Sequence, residues 1–579
     1  MCGIVGYIGI REAAPVIVEG LKRLEYRGYD SFGIATLNRT LSTMKKCGRI
    51  SENEHCAVDL CGKIGIGHTR WATHGKPDDL NAHPHTDCTG SIAVVHNGII
   101  ENYAELKRAL RERGHVFSSE TDTEVIAHLI EEHYAGDLFD AVRAALAHLE
   151  GSYAVLALAK DDPRIIAARN ASPLVIGIGD GELLAASDVT PLLDHTRQVI
   201  FLEDGDTATI TPGQVTIWNG SGPVERPVSM VEWDVESAKK GGFEHFMIKE
   251  IYEQPDVFFD TASSIKDGEI IDALRECGGM TLVSCGTSYH AALIFRYLAE
   301  KICSIPVRVE LASEFKYYAP PLRGMVVGVT QSGETADTIA ALKKARQFNC
   351  TTLGITNVLD SSVTRIADHT MYTRAGPEIS VAATKSFIAQ LAVFLQIINL
   401  LQENRYEEEM AMVHRQIEDC LLLDLVEAVE ICGRADHVFF VGRGPYYPVA
   451  LEGALKLKEI SYIHAEGYAA GELKHGPFAL LSEKTPVIAL CLPGESYAVM
   501  LSNIKEMKAR SAPIIAIGVE GDRELGEIVD ILIGLPKCRL FGGILMSSVV
   551  LQLLAYHTAR MLGRDIDKPR NLAKSVTVE

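Results

Sequence analysis

The sequence predicts an α+β domain with antiparallel sheets, followed by two α/β domains that each contain a doubly wound parallel sheet. Three observations lead to this fold class. Short strand patterns separated by Gly, Asp and Asn fill residues 1 to about 225, with few helical patterns between them. From about residue 280, apolar strands alternate with helices. The alternation recurs after about 160 residues, which indicates an internal repeat.

In the first segment, strand patterns cover residues 3–10, 64–67, 92–96, 152–158, 174–178 and 207–211. Helical patterns cover residues 13–24, 102–112 and 123–132. Later strands are predicted at 280–284, 325–329, 352–356, 437–441, 487–490 and 514–518. These patterns, with a Pro- and Gly-rich stretch near 220–245, predict five parts. They are a first domain (1–225), a linker (226–245), two repeats (246–415 and 416–564) and a tail (565–579).

The composition excludes several classes of function. There are 56 Lys and Arg against 76 Asp and Glu, a formal net charge of −20. This charge argues against binding nucleic acid or anionic membranes, both of which require a basic surface. The 13 cysteines form no CxxC pair, so they predict free thiols in a cytoplasmic protein. The apolar stretches 386–401 and 544–556 are short and contain Gln, and they predict buried helices rather than membrane spans.

Cys2 follows the initiator methionine, which is commonly removed before a small residue. The mature residue would then carry a nucleophilic thiol and a basic α-amine together. By position alone this is a weak signal. Asn97-Gly98 could supply two oxyanion donors, although the doublet alone is more typical of a hairpin turn.

Other polar residues cluster near these two sites. The segment 67–75 contains Arg70, Trp71, Thr73 and His74, and Asp122 precedes a helix. A guanidinium and a carboxylate would suit the two charged groups of an amino acid. Five histidines at 68, 74, 83, 85 and 96 raise the possibility of a metal, but they indicate loop and substrate contacts instead, and no metal or cofactor is expected.

The repeats carry a second group of polar residues. Gly286-Thr287-Ser288 and the segment 330–335 each follow a strand and precede a helix, where they could bind a phosphate or merely cap the helix. The spacing of Glu452, Lys456 and Glu459 places all three on one helix face. They are either catalytic groups or an exposed stripe of ion pairs. The polar tail could be solvated and dispensable.

The motifs of the first domain resemble the class II glutamine amidotransferases, which have the N-terminal-nucleophile hydrolase fold. The resemblance implies that Cys2 attacks the glutamine side-chain amide and that Asn97 and Gly98 form the oxyanion hole. It further implies a glutamine pocket made by Arg27, Arg70, Trp71, Thr73, His74 and Asp122. The ring of Trp71 is a candidate gate for ammonia, or ordinary packing.

The repeats resemble sugar-isomerase (SIS) domains, and the whole chain is similar to the glucosamine-6-phosphate synthase family. The sugar phosphate would then be bound by Gly286, Thr287, Ser288, Thr330, Gln331, Ser332, Thr335, Val381 and Ala573. By the same resemblance, Glu459 moves a proton between carbons 1 and 2, and Lys456 lies beside them. Lys574 forms a Schiff base with the ketose, and His475 of a partner subunit assists ring opening in a homodimer.

Two positions depart from the family pattern: Thr330 and Ala383 stand where serine is usual. The implied reaction converts L-glutamine and fructose 6-phosphate to L-glutamate and glucosamine 6-phosphate, with ammonia passed internally. Two other class II amidotransferases are alternatives. Amidophosphoribosyltransferase would need a phosphoribosyl-diphosphate loop and asparagine synthetase an ATP-pyrophosphatase loop, and neither loop is found. The remaining alternatives are SIS paralogues that isomerise or deglycate sugar phosphates, and a sugar-phosphate sensor without turnover.

Overall fold

The computed structural model describes residues 2–25, 27–71, 74–220, 222–231, 240–266, 268–317, 322 and 324–576. Within these residues the chain forms two compact units. The first contains residues up to 231 together with 573–576, and the second contains residues 240–572. The predicted boundaries between the two repeats and the tail stay predictions.

The first unit contains two antiparallel sheets. The eight-stranded sheet has the order β15-β11-β9-β10-β1-β4-β2-β3, and the seven-stranded sheet has the order β14-β13-β12-β8-β7-β6-β5. The strands are β1 (Gly3–Ile8), β2 (Ser31–Asn38), β3 (Thr40–Cys47), β4 (Ile64–Arg70), β5 (His85–Thr86), β6 (Ile92–Ile100), β7 (Gly151–Ala159), β8 (Asp162–Asn170), β9 (Val175–Ile178), β10 (Leu183–Ala186), β11 (Gln198–Phe201), β12 (Asp206–Thr211), β13 (Gln214–Asn219), β14 (Gly222–Val224) and β15 (Val228–Met230).

The two sheets pack face to face between layers of helix. Residues such as Ile66 of the first sheet and Leu156 of the second share one buried core. The outer face of the first sheet is covered by α1, and that of the second by α4 and α5. The helices of this unit are α1 (Ala13–Leu24), α2 (Ile50–Asn53), α3 (Tyr103–Glu112), α4 (Glu124–His133) and α5 (Leu138–Leu146). The α+β prediction is confirmed.

Two details of the first unit differ from the prediction. Asn97 and Gly98 lie inside β6 rather than after it, so the hairpin-turn interpretation of this doublet is wrong. The helix α5 was not predicted, although Asp137 caps it by accepting a hydrogen bond from the Asp140 N–H at 3.2 Å.

The second unit contains two five-stranded parallel sheets with the same order, β17-β16-β18-β19-β20 and β22-β21-β23-β24-β25. This confirms the predicted repeat of a doubly wound α/β fold. The strands are β16 (Met280–Ser284), β17 (Val307–Leu311), β18 (Met325–Val329), β19 (Thr351–Thr356), β20 (His369–Tyr372), β21 (His437–Gly442), β22 (His464–Ala469), β23 (Val487–Leu490), β24 (Ile514–Val519) and β25 (Ile531–Leu535).

The helices of the second unit surround and join these sheets. They are α6 (Phe246–Tyr252), α7 (Gln254–Ser264), α8 (Gly268–Glu276), α9 (Gly286–Leu298), α10 (Ala312–Phe315), α11 (Ala336–Gln347), α12 (Ser362–Ile366), α13 (Lys385–Leu401), α14 (Glu407–Cys420), α15 (Val426–Gly433), α16 (Tyr446–Ser461), α17 (Tyr497–Lys508), α18 (Arg523–Gly526) and α19 (Leu540–Met561). Residues of both sheets and of α13, α16 and α19 share one large apolar core.

Among the described residues, one helix is long and apolar enough to cross a membrane, namely α19 with 22 residues. It extends beyond the predicted 544–556 at both ends, because Leu540, Phe541 and Met561 continue its apolar character. In its most apolar window, 89% of the residues are buried. The helix α13 is also almost entirely buried. Both stretches are therefore core helices, as predicted.

Candidate active sites

The thiol of Cys2 lies at the start of β1, beside the end of β4. Its Sγ accepts a hydrogen bond from the Trp71 N–H at 3.3 Å and lies 3.5 Å from the Trp71 carbonyl oxygen. Burial raises the pKa of the Cys2 thiol, and the Trp71 N–H and the Arg70 charge partly oppose this rise. The thiol is therefore held mainly protonated and needs a base to become a nucleophile.

The side chain of Asn97 is fixed next to Cys2. Its Nδ2 donates to the Cys2 carbonyl oxygen at 2.9 Å, and its Oδ1 accepts from His68 Nε2 at 3.1 Å. The amide nitrogen is therefore the group turned toward Cys2, and it carries a second N–H that could stabilise an oxyanion. Gly98 has φ +140°, and a Cβ there would lie 2.0 Å from the Ser152 carbonyl oxygen. Only glycine fits this place in β6.

Four of the five clustered histidines lie in a buried network behind Asn97 rather than in an open loop. The ring of His83 stacks on that of His68 with centroids 4.0 Å apart, and His96 Nδ1 lies 2.9 Å from the Thr123 hydroxyl. His85 Nε2 lies 3.0 Å from the hydroxyl of Thr121. Burial, with the charge of Arg70, lowers the pKa of His68 to about 3. A neutral His68 with its proton on Nε2 suits its role in orienting Asn97.

Arg70 and Asp122 are both buried in this unit. The Arg70 guanidinium donates to the carbonyl oxygens of His74 and of Gly75, the latter at 3.1 Å. One oxygen of Asp122 accepts from the Ile100 N–H at 2.9 Å, and the other lies 4.0 Å from His74 Nδ1. The loop after β4 thus contacts both Arg70, a buried cation, and Asp122, a buried anion. A site for an amino acid needs a cation for the carboxylate and an anion for the amine.

The other predicted glutamine contacts are less directly supported. The Arg27 guanidinium is buried and forms an ion pair with Asp188. The Trp71 ring is half-buried and packs edge-on against Tyr29, with centroids 5.7 Å apart. Thr73 lies outside the described residues. Their contacts with glutamine stay predictions.

In the second unit, the two polar loops lie side by side. The strands β16 and β18 are parallel neighbours, and Ser284 pairs in register with Val329. The loops that follow them, Gly286-Thr287-Ser288 and residues 330–335, therefore meet at the carboxyl end of the sheet. This is the point at which strand order reverses, where doubly wound folds bind their ligands.

The hydroxyls of these loops are not used to cap the following helices. Thr335 is the N-cap residue of α11, but its Oγ1 is hydrogen-bonded to the Thr330 hydroxyl at 2.8 Å. Ser288 Oγ accepts from Gln390 Nε2 at 2.9 Å, and Ser332 Oγ accepts from the Glu334 N–H at 3.1 Å. The simple capping interpretation is therefore wrong. The half-buried Gln331 lies between these groups in sequence.

The three charged residues of α16 form a buried cluster. Lys456 Nζ lies 2.7 Å from Glu459 and 3.4 Å from Glu452, and it donates to the Thr287 hydroxyl at 3.1 Å. Glu452 also accepts from Thr287 at 3.0 Å and lies 2.7 Å from His290 Nδ1. Glu452 and Lys456 are 2% and 1% exposed. The interpretation as a solvated ion-pair stripe is therefore wrong.

The opposite charges of this cluster stabilise each other in their ionised forms. Burial alone would lower the pKa of Lys456, but Glu459 and Glu452 outweigh it and raise that pKa above its ordinary value. Burial would likewise raise the pKa of Glu452, which Lys456 and His290 instead lower. Lys456 is thus a firmly protonated ammonium and a poor nucleophile. The sequence did not predict that His290 contacts Glu452. His290 lies one helical turn after the loop Gly286-Thr287-Ser288, on α9.

The remaining predicted residues are placed as follows. His475 is exposed in the single chain, on the short turn Glu472–His475. The Val381 N–H donates to the Asp567 carbonyl oxygen at 3.0 Å. Ala383 is half-buried. Ala573 and Lys574 are half-buried and belong to the first unit.

Comparisons with known proteins match both units. The glutamine amidotransferase domain family matches residues 68–194, and the SIS domain family matches residues 273–400 and 433–562. A relative from Methanosarcina acetivorans, named glutamine–fructose-6-phosphate aminotransferase [isomerizing], is 48% identical over the full length of both chains. The protein of the same name from Pyrococcus horikoshii is 49% identical, again over both full lengths.

A solved structure agrees with these relatives. The C-terminal domain of glucosamine-fructose-6-phosphate aminotransferase from Francisella tularensis is 35% identical, with a TM-score of 0.52. The match covers 57% of this chain and 99% of that one. The combination of an amidotransferase domain, two SIS domains and full-length relatives shows that this chain belongs to the isomerising glutamine–fructose-6-phosphate aminotransferase family.

Proposed function

We propose that this enzyme converts L-glutamine and fructose 6-phosphate to L-glutamate and glucosamine 6-phosphate, as the first step of amino-sugar synthesis. The observation that carries the sugar half is the hydroxyl of Thr287. It belongs to the candidate phosphate loop and is hydrogen-bonded to Lys456 and Glu452 of the acid–base cluster. The group that would bind the phosphate is thereby joined to the groups that would move protons.

In the glutamine half, Cys2 is the nucleophile and its α-amine, after loss of Met1, is the base. The thiolate attacks the side-chain carbonyl carbon, and the developing oxyanion is stabilised by Asn97 Nδ2 and the Gly98 N–H. Arg70 and Asp122 hold the α-carboxylate and the α-amine of glutamine. Collapse of the intermediate releases ammonia, and water then releases glutamate from the thioester.

In the sugar half, the loops after β16 and β18 bind the phosphate through Ser288, Gln331, Ser332 and Thr335. The amine of Lys574 forms a Schiff base at carbon 2, and ammonia replaces it there. Glu459 then takes a proton from carbon 1 and a proton is returned to carbon 2, which makes the amino aldose. Lys456 is a fixed ammonium 2.7 Å from the Glu459 carboxylate, and it holds that side chain in position.

Three further features belong to this proposal. Ammonia passes internally from Cys2 to the sugar, since protonation in water would remove its nucleophilicity. The enzyme works as a homodimer in which the exposed His475 serves the partner's site. It acts in the cytoplasm, which fits the thirteen cysteines, all described and all free.

The test is a coupled assay for glucosamine 6-phosphate with glutamine and fructose 6-phosphate. We expect product formation to require both substrates and to release one glutamate per product. An isomerase paralogue would interconvert sugar phosphates without consuming glutamine, and a sensor would bind fructose 6-phosphate without any turnover. Either result would contradict the proposal.

We expect Glu459→Gln to lower the rate of glucosamine 6-phosphate formation by roughly 10²–10⁴-fold, the usual contribution of a general base. Glutamine keeps the shape of the side chain and can still contact Lys456, so thermal unfolding should change little. The matched control is Glu430→Gln, an exposed carboxylate paired with Arg434 on α15, which should retain full activity. A Glu459→Gln enzyme within about threefold of wild type would remove Glu459 from the mechanism.

A further inference from the structure

Four side chains of the first unit meet in a cluster that the reaction above does not use. Cys88 lies in the turn between β5 and β6, His115 follows α3, and His128 and Glu131 lie on α4. One ligand atom of each lies within 4.8 Å of all the others. We call these four residues the Cys88 cluster.

The distances within the Cys88 cluster resemble the edges of a coordination tetrahedron. The Cys88 Sγ lies 3.5 Å from Nδ1 of His115 and 3.5 Å from Nδ1 of His128. The Glu131 Oε2 lies 3.0 Å and 3.1 Å from the same two nitrogens. Metal–ligand bonds of about 2.0–2.3 Å at tetrahedral angles separate such donors by about 3.3–3.6 Å. These four of the six edges differ from tetrahedral values by only a few tenths of an ångström, and the other two are no longer than 4.8 Å.

The far sides of both imidazole rings face carboxylates. Nε2 of His115 lies 3.4 Å from Glu132 Oε1, and Nε2 of His128 lies 3.8 Å from Glu124 Oε1. Metal-binding histidines almost always donate the second ring N–H to a partner, which fixes the tautomer and the ring orientation. At 3.8 Å the Glu124 carboxylate is beyond hydrogen-bond distance of His128 Nε2, so of the two carboxylates only Glu132 is near enough for that contact. Both rings thus present Nδ1 to the centre of the cluster.

The carboxylate and thiol of the cluster are also held in place. The Cys88 N–H donates to Glu131 Oε2 at 3.1 Å, which ties the turn to α4. The turn itself is fixed by Asp87, whose carboxylate accepts from the N–H groups of Thr89 and Ile92 at 3.2 Å and 2.7 Å. Cys88 is exposed, so an ion could enter from solvent. The site is therefore both accessible and largely formed in advance.

We propose that the Cys88 cluster binds one Zn²⁺ ion through Cys88 Sγ, His115 Nδ1, His128 Nδ1 and Glu131 Oε2. A thiolate with two imidazoles favours zinc over magnesium or calcium, which prefer oxygen ligands. Binding displaces the thiol proton of Cys88 to solvent, and the thiolate and carboxylate then neutralise the charge of the ion. Four protein ligands leave no open position, so the ion is structural and takes no part in bond making.

The consequence for the enzyme comes through α4. Asp122 lies two residues before this helix, and Glu124, its first residue, accepts hydrogen bonds from the N–H groups of Ser118 and Ser119 at 2.7 Å each. A zinc ion would hold α4 and the loop before it against the second sheet. Through Asp122, and only if the proposed function is right, loss of zinc would raise KM for glutamine more than it lowers kcat.

The test is metal binding by the full-length protein, measured independently of activity. The protein is stripped with a chelator and titrated with Zn²⁺ against a chromophoric competitor, and Co²⁺ is used as a spectroscopic probe. We expect about one zinc per chain and, with cobalt, a thiolate-to-metal charge-transfer band. Cys88→Ala should abolish that band and the stoichiometric site, whereas Cys61→Ala, at another exposed cysteine of the same unit, should change neither.

A second variant leaves all four ligands in place. Glu132→Gln removes the charge beside His115, together with the charge of an ion pair with the exposed Arg113, and should weaken zinc binding by 10–100-fold, the usual effect of an outer partner. The proposal is overturned if the wild-type protein binds no stoichiometric zinc, if cobalt gives no thiolate band, or if Cys88→Ala keeps full zinc content. Glutamine turnover enters none of these outcomes, so they are separate from any failure of the proposed function.

Discussion

Replacing Cys2 with alanine is expected to abolish glutamine hydrolysis and glutamine-dependent synthesis, with a loss of roughly 10⁴-fold or more. The reason is that no other thiol is placed to replace it: in the described structure, the Trp71 N–H and the Asn97 amide converge on Cys2. Isomerisation of fructose 6-phosphate should persist, because Glu459 and the phosphate loops belong to the second unit, whereas Cys2 belongs to the first. Glutamate release and sugar isomerisation are measured on the same preparation.

The matched control is Cys61→Ala, an exposed cysteine of the same unit, which should retain both activities. Mass spectrometry of the active enzyme should show a chain that begins at Cys2. Retention of Met1 on fully active enzyme would exclude the α-amine of Cys2 as the base. Retention of glutaminase activity by Cys2→Ala would exclude the thiol as the nucleophile.

Replacing Lys574 with arginine is expected to abolish synthesis of glucosamine 6-phosphate. Arginine keeps the positive charge, but its guanidinium cannot form a Schiff base at carbon 2 of the sugar. Lys456 is unsuited to replace it, because two carboxylates hold its ammonium protonated. Hydrolysis of glutamine at Cys2 should continue, without stimulation by the sugar. Borohydride reduction with fructose 6-phosphate should attach the sugar to Lys574, as mapped by peptide mass spectrometry.

Lys568→Arg, at another half-buried lysine near the carboxyl terminus, serves as the control and should remain active. Deletion of the residues after Arg570 should reproduce the loss seen with Lys574→Arg. If the adduct maps to Lys456, or if the truncated chain still makes glucosamine 6-phosphate, the assignment of the Schiff-base lysine is wrong.

The sequence predicted the six central parallel strands more accurately than the rest of the fold, and it missed the four edge strands β17, β20, β22 and β25. Met280–Ser284, Met325–Val329 and Val487–Leu490 have the predicted ends, because strands buried on both faces appear as continuous apolar runs with sharp polar limits. The two-residue strand β5 and the short edge strands β14 and β15 carry no such pattern. Their pairing is decided by neighbours distant in the chain.

The candidate sites were predictable to different degrees. The loop 330–335 is a local motif whose hydroxyls contact each other within a few residues, whereas Asn97-Gly98 was identified by resemblance, because its partners Cys2 and His68 are distant in sequence. The contact of Thr287 with Lys456 could not be predicted, because α9 and α16 are separated by about 150 residues. The Cys88 cluster was missed for the same reason. Its only local signal is the three-residue spacing of His128 and Glu131, which places both on one face of α4.

The position of α19 after its packing partners in the sequence has a consequence for synthesis on the ribosome. Its residues pack against α14, α15 and α16 in the core of the second unit, yet they are translated after all of those helices. The apolar faces of the earlier helices therefore stay exposed until residues 540–561 have emerged from the ribosome. The apolar core of the second unit can therefore be completed only after α19 itself has been synthesised.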